Sequence, residues 1–243
     1  MPKHIGIAAC SAEGAALCFR TICLEGEALM GEYWHPEVTM HVHPLGPYME
    51  HLGRGDWPGV ATLMLSSAEK LAAAGADFII CPDNTIHQAF DLVVGKSPRP
   101  WLHIAEVVAT EAKEAGYRRL GVLGIRFLMD GPAYPSYLER ADLEYDLPDP
   151  GERQRINEII FQELVKGVLR TESRAEVRAI IERLGEKGCD AVILGCTELP
   201  LLIEQPDSAL PILDSTRLLA RAALRLAVTG TAVGGIANSK GPS

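Results

Sequence analysis

Apolar and polar residues follow one another along this chain in two kinds of pattern. Short apolar runs are typical of buried strands, and longer stretches with apolar residues three and four positions apart are typical of helices. Because the two kinds alternate, the sequence predicts an α/β fold, with mainly parallel sheets flanked by helices. The predicted strands are Ile5–Ala9, Ile79–Thr85, Leu120–Gly124 and Ala191–Gly195, and the predicted helices are Ala15–Ile22, Gly59–Ala74, Ile104–Ala115, Glu152–Leu169, Ala175–Lys187 and Leu218–Val228.

One stretch of this pattern occurs twice. Gly75–Thr85 aligns without a gap on Gly188–Glu198, at an offset of 188 − 75 = 113 residues. Each copy runs from a Gly-x-Asp opening through an apolar strand to a small polar cluster. A helical pattern precedes each copy and ends at its glycine, which is a common helix stop. The repeat therefore predicts two pseudo-symmetric lobes with the active site in the cleft between them.

A break in composition predicts the boundary between the lobes. Ser97–Trp101 is rich in proline, which places residues 1–100 plus 215–243 in the first lobe and residues 101–214 in the second. The helix Leu218–Val228 is expected to pack back on the first lobe. Residues 229–243 are rich in glycine and other small residues and are expected to form a frayed tail.

Composition and charge exclude several classes of protein. The formal charge of −9 and the lack of basic clusters argue against binding to nucleic acid or to anionic membranes. No apolar stretch approaches the roughly 20 residues of a membrane span, and the N-terminus does not resemble a signal peptide. The six cysteines show no zinc-type or C-x-x-C spacing, so reduced cysteines in a cytoplasmic protein are expected.

The two polar clusters carry the candidate chemistry. In the alignment Asp83 falls opposite Cys196, so each lobe offers one proton-transfer group at a strand end. Inversion at a carbon centre needs one group to remove a proton from one face and another to supply a proton to the opposite face. Reference pKa values are about 3.9 for an aspartate carboxyl and about 8.5 for a cysteine thiol. At neutral pH the carboxylate is therefore ready as a base and the thiol as an acid.

Other residues allow more than one interpretation. Cys81 precedes Asp83 by two positions and would share its side of a regular strand, but Pro82 interrupts that strand and favours a structural cysteine. Ser11 follows the first strand, where it either holds an anion or caps the next helix.

Three histidines also allow more than one interpretation. His41 and His43 would share a strand face, but without a third ligand nearby a strand and surface-loop interpretation is favoured, and no metal is expected. His87 lies either behind the first polar cluster or on a solvent-facing helix.

Several motifs resemble the aspartate/glutamate racemase family, over essentially the whole chain from about Ile5 to Val228. The most specific one is Ile-Leu-Gly-Cys-Thr-Glu-Leu-Pro, which nearly matches the second cysteine motif of that family. The family's first motif is Cys-Asn-Thr followed by His. The residues that carry the resemblance are Ile193–Pro200, Gly121–Ile125, Ile159–Gly167, and Asp83, Asn84 and Thr85 with His87.

The resemblance implies an isomerase, a cofactor-independent amino acid racemase or epimerase with an aspartate- or glutamate-like substrate, usually in a homodimer. It also implies that Asn84, Thr85 and Thr197 hold the α-carboxylate and the amino end of the substrate. Glu198 of the same motif is counted with them as substrate-binding, and Lys166 is expected to contact an acidic side chain.

The chain departs from the family at three positions. Asp83 stands in place of the first catalytic cysteine, Ala9-Cys10-Ser11 in place of a glycine-rich turn, and Ile125 in place of a threonine. These departures leave two alternatives to racemisation. One is decarboxylation or isomerisation of a carboxylic acid, and the other is a catalytically silent protein that binds a small molecule.

Overall fold

A computed structural model of the chain describes residues 1–237. The chain forms two compact units, one made of Met1–Val107 and the segment from Thr216 onward, the other of Val108–Ser215. The division lies inside a helix, after the proline-rich stretch at which the sequence places it. The expectation of a frayed end for residues 238–243 falls outside the described residues.

The first unit is built on a five-stranded sheet. Its strand order is β2-β1-β3-β4-β9, and the pairs are parallel except for the last, in which β9 runs antiparallel to β4. Its elements are β1 (Ile5–Ala9), α1 (Ala12–Met30), β2 (Val38–Val42), α2 (Leu45–Arg54), α3 (Trp57–Ala73), β3 (Phe78–Ile80), α4 (Phe90–Val94), β4 (Trp101–Leu102), α11 (Ser215–Thr229) and β9 (Ile236–Ala237). The helix α5 (Ile104–Glu114) begins in this unit and continues into the second.

Successive residues of a strand point to opposite faces of the sheet, and helices cover both faces. Ile5, Ile7 and Ala9 pack with α1 and α11 in one core. Ala8 and Cys10 pack with α2, α3 and α4 in the other. The prediction that the last helix returns to the first lobe is therefore confirmed.

The second unit is built on a four-stranded parallel sheet in the order β6-β5-β7-β8. One core of this unit joins β5 and β7 to the two long helices α8 and α9. The α/β class and the two lobes predicted from the sequence are confirmed. The elements are β5 (Arg119–Leu123), α6 (Arg126–Met129), α7 (Pro135–Arg140), β6 (Glu144–Asp146), α8 (Pro150–Gln162), α9 (Thr171–Glu186), β7 (Ala191–Leu194), α10 (Leu199–Leu202) and β8 (Ile212–Asp214).

The repeated Gly-x-Asp opening has the same structural role in both units. Gly75 and Gly188 end the preceding helix with φ values of 99° and 93°, which only glycine adopts readily. Asp77 accepts a hydrogen bond from the backbone N–H of His4 at 2.7 Å, and its own N–H donates to the His4 carbonyl at 2.9 Å. Asp190 accepts from the N–H of Arg119 at 3.2 Å and donates to the Arg119 carbonyl at 2.8 Å. The start of each middle strand is thereby fixed to the start of its neighbour.

Two boundaries differ from the predicted ones. The helix expected over Glu152–Leu169 ends at Gln162, and a 3-10 turn, Leu164–Lys166, follows it. The helix ends because Glu163, with φ −121° and ψ −68°, leaves the helical conformation, and Gly167 then ends the 3-10 turn with a left-handed φ of 72°, although the apolar spacing continues.

The tail expected to fray from residue 229 is instead ordered as far as residue 237. Val233 is buried in the core of the first unit, and the Gly235 N–H donates to the Glu106 carboxylate at 2.7 Å. The backbone of β9 pairs with β4.

Among the described residues, every helix is too short or too polar to cross a bilayer.

Replacing Asp190 by alanine should lower the free energy of unfolding by about 1–3 kcal/mol, because its carboxylate accepts from the N–H groups of both Arg118 and Arg119. Urea denaturation followed by circular dichroism measures the change. Glu182 is exposed on α9 of the same unit, and Glu182→Ala should change the value by less than about 0.5 kcal/mol. Equal effects of the two substitutions would contradict the role given to Asp190.

Candidate active site

In the first unit, the polar residues lie where parallel strands end. β1 and β3 are neighbours, so their carboxyl ends reach the same edge of the sheet. Ser11 follows β1 and caps α1, because its Oγ accepts from the Gly14 N–H at 3.3 Å. The capping interpretation is thus observed, and the role of Ser11 in holding an anion stays a prediction.

Asp83 lies beyond the end of β3, in a part of the chain that has left the regular strand. The strand predicted to reach Thr85 ends at Ile80, and a 3-10 turn over Thr85–Ala89 follows. The Oδ1 atom of Asp83 accepts from the Ile86 N–H at 3.1 Å, which fixes the carboxylate at the start of this turn. Asp83 is half-buried, whereas Asn84 and Thr85 are buried.

His87 lies directly behind Asp83. Its Nδ1 is 2.6 Å from the Asp83 carbonyl, so this nitrogen carries the hydrogen and donates it. Its Nε2 therefore has the free electron pair, which accepts from the Ile104 N–H at 3.5 Å. Burial lowers the pKa of His87 to about 4, against the raising effect of the hydrogen bond to Asp83. At neutral pH His87 is an uncharged support for the Asp83 backbone, and the solvent-facing interpretation is wrong.

Sequence reasoning missed His103, which is buried beside His87. The two rings meet edge to face with centroids 4.6 Å apart, and Phe90 is 4.7 Å from His103. His103 follows β4 directly. Applying the strand-end rule that selected Asp83 and Cys196 would therefore have found it.

Cys81 belongs to the core. Its side chain is fully buried among residues of α3 and α4. Burial first, and then the negative charge of Asp83, raises the pKa of the Cys81 thiol well above its usual value. The structural interpretation of Cys81 is supported, since a buried thiol of this kind does not ionise readily.

His41 and His43 lie at the end of β2, as the strand interpretation predicts. His41 contacts Ser67 through Nδ1 at 3.0 Å and the Lys70 ammonium through Nε2 at 3.0 Å. Burial, and then Lys70, lowers the pKa of both histidines. Within the described part of the chain, no three His, Cys, Asp or Glu side chains are grouped so that they could hold a metal ion.

In the second unit, Cys196 lies beyond the end of β7. Gly195 precedes it, and its N–H donates to the Leu123 carbonyl at 2.7 Å. A Cβ at Gly195 would lie 2.4 Å from a Leu128 methyl and 3.0 Å from the Leu123 carbonyl, so a larger residue here would have to displace Leu128 and would crowd β5. The strand end is thus rigidly placed, and it presents Cys196 half-buried.

Glu198 connects the whole second cluster. Its Oε2 accepts from the Cys196 thiol at 2.9 Å and from the Thr197 hydroxyl at 2.8 Å. Glu198 is 5% exposed and Thr197 3% exposed. The family resemblance implies that Glu198 and Thr197 bind the substrate, and this role stays a prediction. The direct bond between the thiol and the carboxylate is a finding that the sequence did not reveal.

Lys166 is the exposed end of the 3-10 turn that follows α8. This turn contacts α10, the short helix that begins just after Glu198. The second unit therefore brings the segment carrying Lys166 close to the cluster of Cys196 and Glu198. A contact of Lys166 with a substrate stays a prediction.

Each unit thus ends its middle strand in one proton-transfer group. Asp83 offers a half-buried carboxylate held by a backbone N–H, and Cys196 offers a thiol held by a carboxylate. A carboxylate accepts protons and a thiol donates them at neutral pH. One strand end thus carries a proton acceptor and the other a proton donor.

Comparisons with known proteins agree on one family. The model of the Asp/Glu/Hydantoin racemase family matches residues 27–223. A Yersinia pestis protein assigned as an Asp/Glu racemase has 30% identity and a TM-score of 0.86, over 93% of this chain and 100% of that one. An aspartate racemase homologue from Pyrococcus horikoshii has 30% identity and a TM-score of 0.80, over 93% and 99% of the two chains. A broad specificity amino-acid racemase from Bacillus subtilis is 26% identical over 65% of this chain and 68% of its own.

The protein should lose stability on acidification because of His87. Its pKa is about 4 when folded, against 6.5 for an ordinary histidine, so between these values the unfolded chain binds more protons. The contribution of His87 to the free energy of unfolding is fully present above pH 6.5, and about 3 kcal/mol of it is lost as the pH falls to 4. Urea unfolding at a series of pH values measures this loss.

A His87→Gln variant should lack this part of the pH dependence, whereas His35→Gln, at an exposed position, should keep it. If His87→Gln and the unchanged protein lost the same free energy between pH 6.5 and 4, His87 would not be the buried neutral group described.

Proposed function

The chain belongs to the Asp/Glu/Hydantoin racemase family, and from this we propose that it is an amino acid racemase or epimerase that needs no cofactor. The proposed substrate is an amino acid with an aspartate- or glutamate-like side chain. The proposed reaction moves the hydrogen on the α-carbon from one face to the other. Asp83 and Cys196 are the proposed catalytic residues.

In the proposed mechanism the Asp83 carboxylate removes the α-proton and becomes a carboxylic acid. The electron pair of the broken C–H bond remains on the substrate as a carbanion, delocalised into the α-carboxylate. The Cys196 thiol then supplies a proton to the opposite face and becomes a thiolate. The net transfer of one proton from the Asp83 carboxylic acid to the Cys196 thiolate, through solvent, restores both groups, and the reverse reaction uses the same groups in opposite roles.

The observation that carries this proposal is the equivalence of the two strand ends. The same backbone contacts hold Asp77 and Asp190 at the starts of the middle strands, and six residues later each copy presents Asp83 or Cys196. Equivalent backbone arrangements that carry different side chains support a pair of catalytic groups with distinct roles. The bond from Cys196 to Glu198 supports the acid role of the thiol.

Substrate binding is proposed for residues next to this pair. Ser11, Asn84, Thr85 and Thr197 would bind the α-carboxylate and the amino group through hydroxyl, amide and backbone N–H groups. Glu198 would contribute to binding the amino group, and Lys166 would pair with an acidic side chain. Such a pair would offset the repulsion between that side chain and Asp83.

The partners and the location follow from the same premise. We propose that the chain works as a homodimer in the cytoplasm, on a small amino or carboxylic acid. Its acidic charge of −9 is unfavourable for nucleic acid. All six cysteines are free thiols, which suits a reducing compartment.

The proposal predicts how deuterium enters an amino acid that is incubated with the protein in deuterated water. Two groups on opposite faces should place deuterium in the product enantiomer before the remaining substrate acquires it. Chiral chromatography with mass spectrometry, over a panel beginning with both enantiomers of aspartate and glutamate, measures this. Exchange without inversion would indicate one-base chemistry, and no exchange with any acid that stabilises the protein would indicate a binding protein.

Cys196→Ala should reduce this exchange by at least about a hundredfold, because it removes the proposed acid. Cys189, buried just before the same strand, provides the matched control, and Cys189→Ala should keep the activity. Full exchange in Cys196→Ala would remove Cys196 from the mechanism.

At the first strand end, Asp83→Asn should be as damaging as Cys196→Ala, and Cys81→Ala should retain exchange. Asp83→Cys should make the forward and reverse rates more alike, because both groups are then thiols. Loss of exchange in folded Cys81→Ala together with activity in Asp83→Asn would transfer the role to Cys81.

A further inference from the structure

The second strand end holds a negatively charged group against the sulfur of its proposed acid. The Oε2 atom of Glu198 is 2.9 Å from the Cys196 sulfur and 2.8 Å from the Thr197 hydroxyl oxygen. Glu198 is almost completely buried. From this geometry, and resting on the function proposed above, we propose that Glu198 is a positioning residue that keeps the proton of Cys196 on sulfur in the resting protein.

The direction of the hydrogen bonds supports this assignment. An ionised carboxylate has no hydrogen and only accepts. The hydrogen between the sulfur and Oε2 therefore belongs to Cys196, and the hydrogen between the Thr197 oxygen and Oε2 belongs to Thr197. Because both donors converge on one oxygen, the carboxylate is fixed in front of the sulfur.

The cost of ionising the thiol supports it as well. A thiolate at this position would put a second negative charge beside Glu198, and a like charge so near disfavours the charged form. Few water molecules reach Glu198 to screen the pair, because it is buried. The resting state therefore has a carboxylate and a thiol, and the thiolate exists only after Cys196 has given its proton away.

Other titratable groups lie at this end of the second sheet. Asp214 ends β8, which pairs with β7, and a negative charge there acts in the same direction as Glu198. Tyr134 is buried, shares a hydrogen bond with Ser215 and feels the charge of Asp214. Lys166 lies on the turn beside α10. Glu198 accepts directly from the Cys196 thiol, so it is the group to test first.

This assignment gives the reaction a direction. With Glu198 charged, Cys196 starts as an acid and the thiolate formed by turnover is a strong base that regains a proton quickly. Asp83 in the first unit accepts from a backbone N–H, and it starts as a base. The enantiomer whose α-proton faces Asp83 is then the one that the resting protein is ready to convert.

Alkylation of Cys196 by iodoacetamide tests the assignment without a substrate. Cys10, Cys18, Cys81 and Cys189 are buried, and only Cys23 and Cys196 are partly exposed among the six thiols. The experiment therefore uses the full chain carrying Cys23→Ala, and compares it with the same chain carrying Glu198→Gln as well. The alkylation rate is measured over a range of pH values.

Glu198→Gln should raise the alkylation rate at pH 7 about tenfold or more, because the amide removes the like charge. The midpoint of the profile should move to lower pH. Glu198→Asp, which restores the charge, should keep the profile close to that of the parent. Glu163→Gln is the matched control, because Glu163 is also buried in the second unit and also accepts from a hydroxyl, that of Ser173 at 2.6 Å.

An unchanged or slower rate in folded Glu198→Gln would overturn the assignment. A profile that moved with Asp214→Asn and not with Glu198→Gln would also overturn it, in favour of Asp214. If Glu198→Gln does not fold, a second measurement tests the assignment. The ultraviolet absorbance of thiolate is measured in the unchanged protein and in Cys196→Ala, and the difference between them reports the thiolate of Cys196. Thiolate should form only above about pH 8.5, and thiolate present at pH 7 would refute the assignment.

These outcomes are separate from those of the proposed function. A shifted alkylation profile in a protein that exchanges no amino acid would leave Glu198 in its role and reject the racemase. Exchange with an unshifted profile would do the reverse. Where both hold, the decline of kcat at high pH should begin at lower pH in Glu198→Gln, a change that a purely structural role of Glu198 would not produce.

Discussion

In each unit a single aspartate ties the start of the middle strand to the start of the strand beside it. The carboxylates of Asp77 and Asp190 accept from backbone N–H groups of the neighbouring strand, and their own N–H groups donate back to it. These ties set the register in which the middle strand pairs with its neighbour, and this register carries through to the opposite edge of each sheet. The positions of Asp83 and Cys196 depend on this distant constraint.

The sequence predicts this framework well because its determinants are local and repeated. The strand and helix periodicities, the two Gly-x-Asp openings and the polar clusters are all visible in the residues. The bond from Cys196 to Glu198 was not predictable, because two residues that are two positions apart meet only if the chain leaves the strand in one particular turn. His87 was ambiguous for the same reason, since the 3-10 turn after Asp83 directs it inward.

The ends of long segments were harder to predict, because apolar spacing can continue beyond the end of a helix. Val165 and Val168 continue the pattern of α8, yet both are 40% exposed, because the chain leaves the helix at Glu163 and turns again at the left-handed Gly167. In the C-terminal segment the opposite happened. Small residues suggested a frayed end, but Gly235 has no side chain to obstruct Glu106, whose carboxylate lies 2.9 Å from where a Cβ would be, and the backbone bond that this permits orders the chain.

The short strand formed by Ile236 and Ala237 also decides how the first sheet ends. It runs against Trp101 and Leu102, and so occupies backbone groups that would otherwise be free to pair with a foreign strand. Without it, β4 would be an open edge of a sheet whose remaining strands are parallel. This strand thus protects the folded unit from domain swapping and from edge-to-edge aggregation, even though it is far along the chain from the strand it covers.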